Sequence, residues 1–139
     1  MTGPMRTDGG RRGLQITLGV LSAIPFASGL AGVLAGPASL PGRRGVVAPT
    51  LDNEYRYAHA VWFAVAPLIW WMLPRVERET TVVRALTATI VLGGLARSLS
   101  WRSTGRPHPT MVGAIAIELV GVPAVAVWQT RVARLAGRG

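Results

Sequence analysis

The chain has 139 residues, of which 50% are hydrophobic, with a mean hydropathy of +0.37, a formal net charge of +9 and a pI of about 11.8. A basic pI often indicates nucleic-acid binding. Here, however, all fifteen positive residues are arginines, and most lie at the ends of apolar stretches, a pattern typical of membrane proteins. We therefore predict no nucleic-acid partner. The absence of cysteine excludes disulfides, thiolate nucleophiles, iron–sulfur clusters and attached c-type haem.

The first apolar stretch, residues 14–35, follows a basic head, residues 1–13. Its length is close to the roughly 20 residues that a helix needs to cross a bilayer. Head and stretch together also resemble a cleavable signal peptide, and this alternative stays open. We favour a retained helix, because small residues recur every fourth position and provide a face for close helix packing. That face comprises Ala23, Ala27, Ala31 and Ala35, with Ser28, Gly32 and Gly36 beside them.

A proline- and glycine-containing segment, 36–54, then interrupts the helical pattern. Three further transmembrane helices are predicted over residues 55–73, 80–101 and 110–130. The last two are joined by so short a link that they must be antiparallel neighbours, and Gly93 and Gly94 allow close backbone approach. The sequence thus predicts an all-α integral membrane bundle of four transmembrane helices in one domain, 14–130, with a basic tail at 131–139.

Four spans place both termini on one side, so the arginines can be compared by side. The terminal side has nine: Arg6, Arg11, Arg12, Arg75, Arg78, Arg84, Arg131, Arg134 and Arg138. The opposite side has six: Arg43, Arg44, Arg56, Arg97, Arg102 and Arg106. Since cytoplasmic loops carry the excess of positive residues, we expect cytoplasmic termini in a multi-pass protein of the inner (cytoplasmic) membrane.

Two ionisable residues, Arg97 and Glu118, lie inside the last two apolar stretches. A charge within a span costs at least a few kcal/mol unless it is paired, hydrated or able to reach the interface. At 1.5 Å per residue, Arg97 lies about 6 Å and Glu118 about 12 Å from the same membrane side, so an ion pair between them is geometrically easy. The alternatives are that Arg97 snorkels to the interface and that Glu118 is protonated.

Further polar residues are expected on that side, at the head of the second helix and beside Arg97. We predict that they complete a polar pocket in the non-cytoplasmic half of the bundle, whose members are Arg97, Glu118, Asp52, Glu54, Arg56, His59, Trp62 and Ser100. Simpler interpretations exist: the acids cap the second helix, and His59 is an interfacial residue. No metal-ligand spacing, paired catalytic carboxylates or activated nucleophile is apparent, so no metal, cofactor or catalytic residue is predicted.

The stretch from Gly93 to Ser100, followed by Gly105-Arg106-Pro107 and then Glu118-Leu119, resembles the bacterial membrane family catalogued as domain of unknown function 4345. The segment from Leu51 to Arg56 is similar to the one that precedes that family's second helix. The resemblance covers about residues 14–128 and implies four transmembrane helices. It also implies a polar signature, without an established activity, at Asp52, Arg56, Arg97, Ser100, Gly105, Pro107 and Glu118.

Three functional classes are compatible with these features. The first is a non-catalytic binder of a lipophilic molecule with a polar head, such as a quinone, isoprenoid or lipid, whose carbonyl or phosphate would compete for the Arg97 guanidinium. The second is an accessory subunit of a larger membrane complex, docked through the small-residue face of the first helix. The third, which we rank last, is a transporter or proton relay that uses Glu118. It is disfavoured because residues 119–128 contain no protonatable group.

Overall fold

The computed structural model describes residues 5–137, and within that range the chain is all-α, without β-strands. The six α-helices are α1 (Met5–Leu21), α2 (Ala23–Ala35), α3 (Pro49–Met72), α4 (Thr80–Thr104), α5 (Pro109–Ala116) and α6 (Val122–Ala136). Short 3-10 turns follow α2 (Gly36–Ser39) and α3 (Leu73–Arg75), and a π-helical turn (Ile117–Gly121) joins α5 to α6.

Among the described residues, four helical segments are long and apolar enough to cross a membrane. They are Gly9–Ser39, Pro49–Arg75, Thr80–Thr104 and Pro109–Ala136, here called the first to fourth spans. This confirms the predicted fold class and indicates a multi-pass membrane protein.

The helices extend beyond the apolar stretches that predicted them. The second span already begins at Pro49, ahead of the apolar stretch at Tyr55, because proline is well suited to the first helical position. Likewise, the basic head is helical from Met5 onward. Residues 1–4 of the head and 138–139 of the tail, including Arg138, lie outside the described residues.

The first span is interrupted at Ser22, between α1 and α2. Pro25 explains the interruption, since it has no N–H to donate to the Leu21 carbonyl and its ring crowds that carbonyl. The Ser22 hydroxyl donates to the Gly19 carbonyl (2.6 Å) and accepts a hydrogen bond from the Trp70 indole (2.8 Å). An aromatic side chain of α3 therefore holds the segment at the break.

The described chain divides into two compact units, with one boundary within α1, after Leu14, and the other in the turn after α3, before Arg75. In the unit of residues 15–74, α2 packs against α3 through glycines. A Cβ on Gly29 would lie 2.7 Å from the Phe63 backbone, and one on Gly32 would overlap the His59 ring. Of the predicted packing face, Ser28, Gly32 and Gly36 contact residues of α3, whereas the four alanines of the predicted row are exposed.

The other unit comprises residues up to Leu14 and those from Arg75 onward. Its interior includes fully buried Leu14, Val76 and Gln129. The Gln129 amide donates to the Val76 carbonyl (2.9 Å) and to the Thr80 hydroxyl (3.0 Å), which fixes the end of the fourth span against the start of α4. Arg11 and Glu77 form an ion pair of 2.9 Å in the same unit.

Candidate functional site

Gly94 allows the third and fourth spans to approach closely. A Cβ at this position would lie 2.8 Å from Leu119 Cδ2 and 3.0 Å from Glu118 Cβ. By contrast, a Cβ on Gly93 would have no described neighbour within 4 Å. Of the two glycines singled out in the sequence, only Gly94 therefore serves the contact, and it lies one helical turn from Arg97.

Glu118 lies within the π-helical turn Ile117–Gly121. The turn is closed by the Val122 N–H, which donates to the Ile117 carbonyl. Pro123 offers a local reason for the widened turn, because its ring crowds the carbonyl of Leu119 and removes one hydrogen bond of a regular helix. Single π-turns within α-helices occur frequently at functional sites.

Arg97 and Glu118 form an ion pair, with Arg97 Nε 3.2 Å from Glu118 Oε1. The Arg97 Nη1 group also donates to the sulfur of Met111, at 3.3 Å, near the start of α5. From the helix ends, Arg97 lies about 10 Å and Glu118 about 14 Å within their spans at 1.5 Å per residue. The guanidinium thus pairs with the carboxylate and at the same time extends toward the N-terminal end of the fourth span.

The two charged side chains differ greatly in exposure. The Glu118 side chain is 11% exposed, whereas the Arg97 side chain is 44% exposed. Furthermore, Glu118 Oε2 is buried and has no hydrogen-bond partner among the residues that the structure describes. A buried polar atom without a partner costs about 1–3 kcal/mol, and more when the group is charged. The site is therefore a half-exposed cation beside a buried carboxylate that has unused accepting capacity.

Neighbouring polar residues of α4 do not join this pair. Ser98 donates to the Gly94 carbonyl of its own helix at 2.8 Å. Ser100, a predicted pocket residue, is exposed, and its hydroxyl lies 3.4 Å from that of Thr104. A direct part for Ser100 at the Arg97–Glu118 pair is not supported by these contacts.

In the unit of residues 15–74, Arg56 caps the C-terminus of α2. Its Nη1 donates to the carbonyls of Val33 (2.6 Å) and Leu34 (3.0 Å). The Val33 carbonyl needs this partner because the residue four positions ahead is Pro37, which has no N–H. A cation is also favourable at this end of the helix dipole. Arg56 therefore has a local structural function.

Asp52 orients Arg56 through a hydrogen bond of 2.8 Å from Arg56 Nε to Asp52 Oδ2. The pair encloses Gly36, where a Cβ would overlap Asp52. Because Gly36 has φ +59° and ψ −151°, a conformation that is essentially limited to glycine, this position is restricted on both grounds.

The remaining predicted pocket residues also lie in this unit. His59 stacks on Tyr55, with ring centroids 3.9 Å apart, and its Nδ1 lies 2.9 Å from the Tyr55 carbonyl. Trp62 donates to the Ser28 hydroxyl at 2.9 Å, and Glu54 is exposed. Within residues 5–137, no group of three or more histidine, cysteine or acidic side chains has the spacing of a metal site.

The predicted pocket residues thus fall into two sets, one in each compact unit. Arg97 and Glu118 contact each other, as do Asp52 and Arg56. A single pocket that contains both sets stays a prediction. No sequence pattern indicates Met111 as a partner of Arg97, whereas Pro123, five residues after Glu118, indicates irregular backbone.

Comparison with known proteins gives one result. The family model described as "Domain of unknown function (DUF4345)" matches residues 13–129, which confirms the resemblance drawn from the sequence. No match was found among curated proteins or among solved structures.

Proposed function

Since this chain belongs to the DUF4345 family, a domain of unknown function, its role must be inferred from its own side chains, and we propose that it binds a lipophilic molecule with a polar head through Arg97 and Glu118. In this proposal the protein is non-catalytic and lies in the inner (cytoplasmic) membrane. The apolar part of the ligand lies along the membrane-facing helix surface, and its head contacts the ion pair.

The observation that carries the proposal is the incomplete hydrogen bonding of a charged pair within the third and fourth spans. A buried carboxylate oxygen normally has at least one hydrogen-bond partner, yet Glu118 Oε2 has none among the described residues. The half-exposed Arg97 side chain is accessible from the helix surface, whereas Glu118 Oε2 beside it is covered and becomes accessible only if neighbouring atoms move. Ionisable groups within membrane spans mark functional sites by default, and the π-turn at Glu118 supports the same assignment.

A second candidate role, accessory subunit of a larger membrane complex, is favoured by the exposed row of small residues on α2. Such rows allow the backbones of two membrane helices to approach closely. The row consists of Ala23, Ala27, Ala31 and Ala35. A transport or proton-relay role through Glu118 has less support, because residues 119–128 contain no protonatable group that could continue the path.

The proposed topology, with both termini in the cytoplasm, predicts which positions are accessible from outside. Since the chain has no cysteine, single cysteines report cleanly. Ser100→Cys and Arg106→Cys, at exposed positions near the link between the third and fourth spans, should react with a membrane-impermeant maleimide while the inner membrane is intact. Arg134→Cys, at the exposed end of α6, is the matched control and should react only after permeabilisation. The reverse pattern would refute the topology.

The binding proposal is tested by purifying the tagged protein from its native membrane in mild detergent and identifying the retained lipids and proteins by mass spectrometry. We expect the wild type to retain one enriched lipophilic molecule. The double variant Arg97→Leu/Glu118→Leu should lose it, because both polar partners are removed together and no unpaired charge is left in the span. Ser103→Ala is the matched control, since it removes an exposed hydroxyl of the same helix that donates only to backbone carbonyls of that helix.

Each alternative result has a definite meaning. Equal lipid retention by the wild type and the double variant would reject a ligand site at Arg97 and Glu118. A stoichiometric set of larger subunits, retained equally by both proteins and lost when Ala27 and Ala31 are replaced with leucine, would assign the accessory role instead.

A further inference from the structure

The hydrogen-bonding pattern of Glu118 also specifies the chemistry of the ligand head. Its Oε1 is engaged by Arg97, whereas its Oε2 is buried and has no partner among the described residues. Glu118 is taken as ionised, because it lies 3.2 Å from the Arg97 guanidinium, and an ionised carboxylate is only an acceptor. A group that satisfies Oε2 must therefore be a hydrogen-bond donor, which excludes heads that offer acceptors alone, such as ethers and the carbonyls of an oxidised quinone.

Charge balance argues against an anionic head. Arg97 is already paired with Glu118 at 3.2 Å, so the site as a whole is close to neutral. A phosphate or carboxylate head would gain from the guanidinium but would also approach the Glu118 carboxylate. Two negative charges a few ångströms apart in a medium of low dielectric constant repel each other strongly. Burial of an uncompensated third charge would add a desolvation cost.

We propose that the ligand is an apolar molecule that ends in a neutral hydroxyl group, which enters beside the exposed Arg97 side chain, displaces the atoms that cover Glu118 Oε2 and donates to this oxygen. The hydroxyl oxygen is also an acceptor, and the Arg97 guanidinium, with five N–H donors, has the capacity to donate to it. A long-chain isoprenoid alcohol and a lipophilic hydroquinone share this chemistry. The inference rests on the proposed function, since it assumes that a ligand contacts the Arg97–Glu118 pair.

The test compares three probes that share one chain: farnesol, farnesyl methyl ether and farnesyl phosphate. Each is titrated against the wild-type protein and the Arg97→Leu/Glu118→Leu variant in nanodiscs of zwitterionic lipid, with the shift in melting temperature as the readout. Farnesol should stabilise the wild type at about tenfold lower concentration than the ether, as expected for one hydrogen bond to a charged acceptor. Farnesol should also raise the melting temperature of the wild type more than farnesyl phosphate does. For the double variant, farnesol and farnesyl methyl ether should give the same shift. The same titration with a short-chain hydroquinone and its oxidised quinone then shows whether the hydroxyl of a hydroquinone is bound as well as that of an isoprenoid alcohol.

The outcomes separate the inference from the function on which it rests. If the ether or the phosphate stabilises the wild type as well as farnesol does, and this effect is lost in the double variant, the site binds ligands but the hydroxyl assignment is wrong. If none of the three probes distinguishes the wild type from the double variant, both the proposed function and this inference fail.

Discussion

Replacing Gly29 with alanine is expected to destabilise the packing of α2 on α3 by about 2 kcal/mol, which lies within the range found for overpacked interiors. The added Cβ would lie 2.7 Å from both the N and the Cα of Phe63. Because these are backbone atoms of a helix, no side-chain rotation relieves the contact, and the two helices must separate. The change is measured as a lower midpoint of unfolding in mild detergent, followed by far-ultraviolet circular dichroism.

Gly93→Ala is the matched control for this substitution. Gly93 lies within α4, and a Cβ there would have no described neighbour within 4 Å. Since alanine is favoured over glycine in a helix by up to about 1 kcal/mol, this variant should be as stable as the wild type or more so. Similar destabilisation by Gly29→Ala and Gly93→Ala would show that close α2–α3 packing does not govern stability.

The fold could be predicted from the sequence because the membrane requirement is simple. A span needs about 20 apolar residues in a helix, and four such stretches are visible. Helix ends are less predictable, because the mostly polar segment from Pro49 to Glu54 continues the helix outside the apolar stretch.

Which side of the first span packs on α3 could not be predicted from the sequence, for a physical reason. Alanine and glycine rows in a membrane helix are both compatible with close packing, and alanine is equally compatible with lipid contact. The side that carries Gly29 and Gly32 packs on α3 because of the shape of α3: the Phe63 backbone and the His59 ring leave no room for a Cβ at these two positions. Such complementarity depends on tertiary contacts that periodicity alone does not contain.

The candidate site was likewise predictable only in part from the sequence. Contact between Arg97 and Glu118 follows from depth, because two charges at similar levels on antiparallel neighbouring helices reduce each other's burial cost. The function of Arg56 does not follow from depth. It depends on the Val33 carbonyl that Pro37 leaves without a backbone donor, and thus on the conformation of the turn at Gly36.

The second large effect is expected at the ion pair itself. Arg97→Glu places two acids together and leaves the buried Glu118 without a counter-ion. We expect a loss of stability of about 3 kcal/mol, the lower end of the range for breaking a buried pair, because the Arg97 side chain is partly exposed. Glu118→Gln removes the negative charge but keeps the shape and an oxygen acceptor for Arg97. It should therefore cost only about 1 kcal/mol.

Melting curves of the purified variants in one detergent measure this difference. Arg84→Glu is the matched control, because it reverses an exposed arginine on the same helix, and it should shift the melting temperature little. If Arg97→Glu and Glu118→Gln have the same melting temperature, Glu118 does not respond to the charge at position 97, since a second acid beside it would then add no cost. If Arg97→Glu and Arg84→Glu have the same melting temperature, the Arg97 guanidinium does not stabilise the buried Glu118 carboxylate. The expected order, with Arg97→Glu lowest, requires that the buried carboxylate and the half-exposed guanidinium stabilise each other.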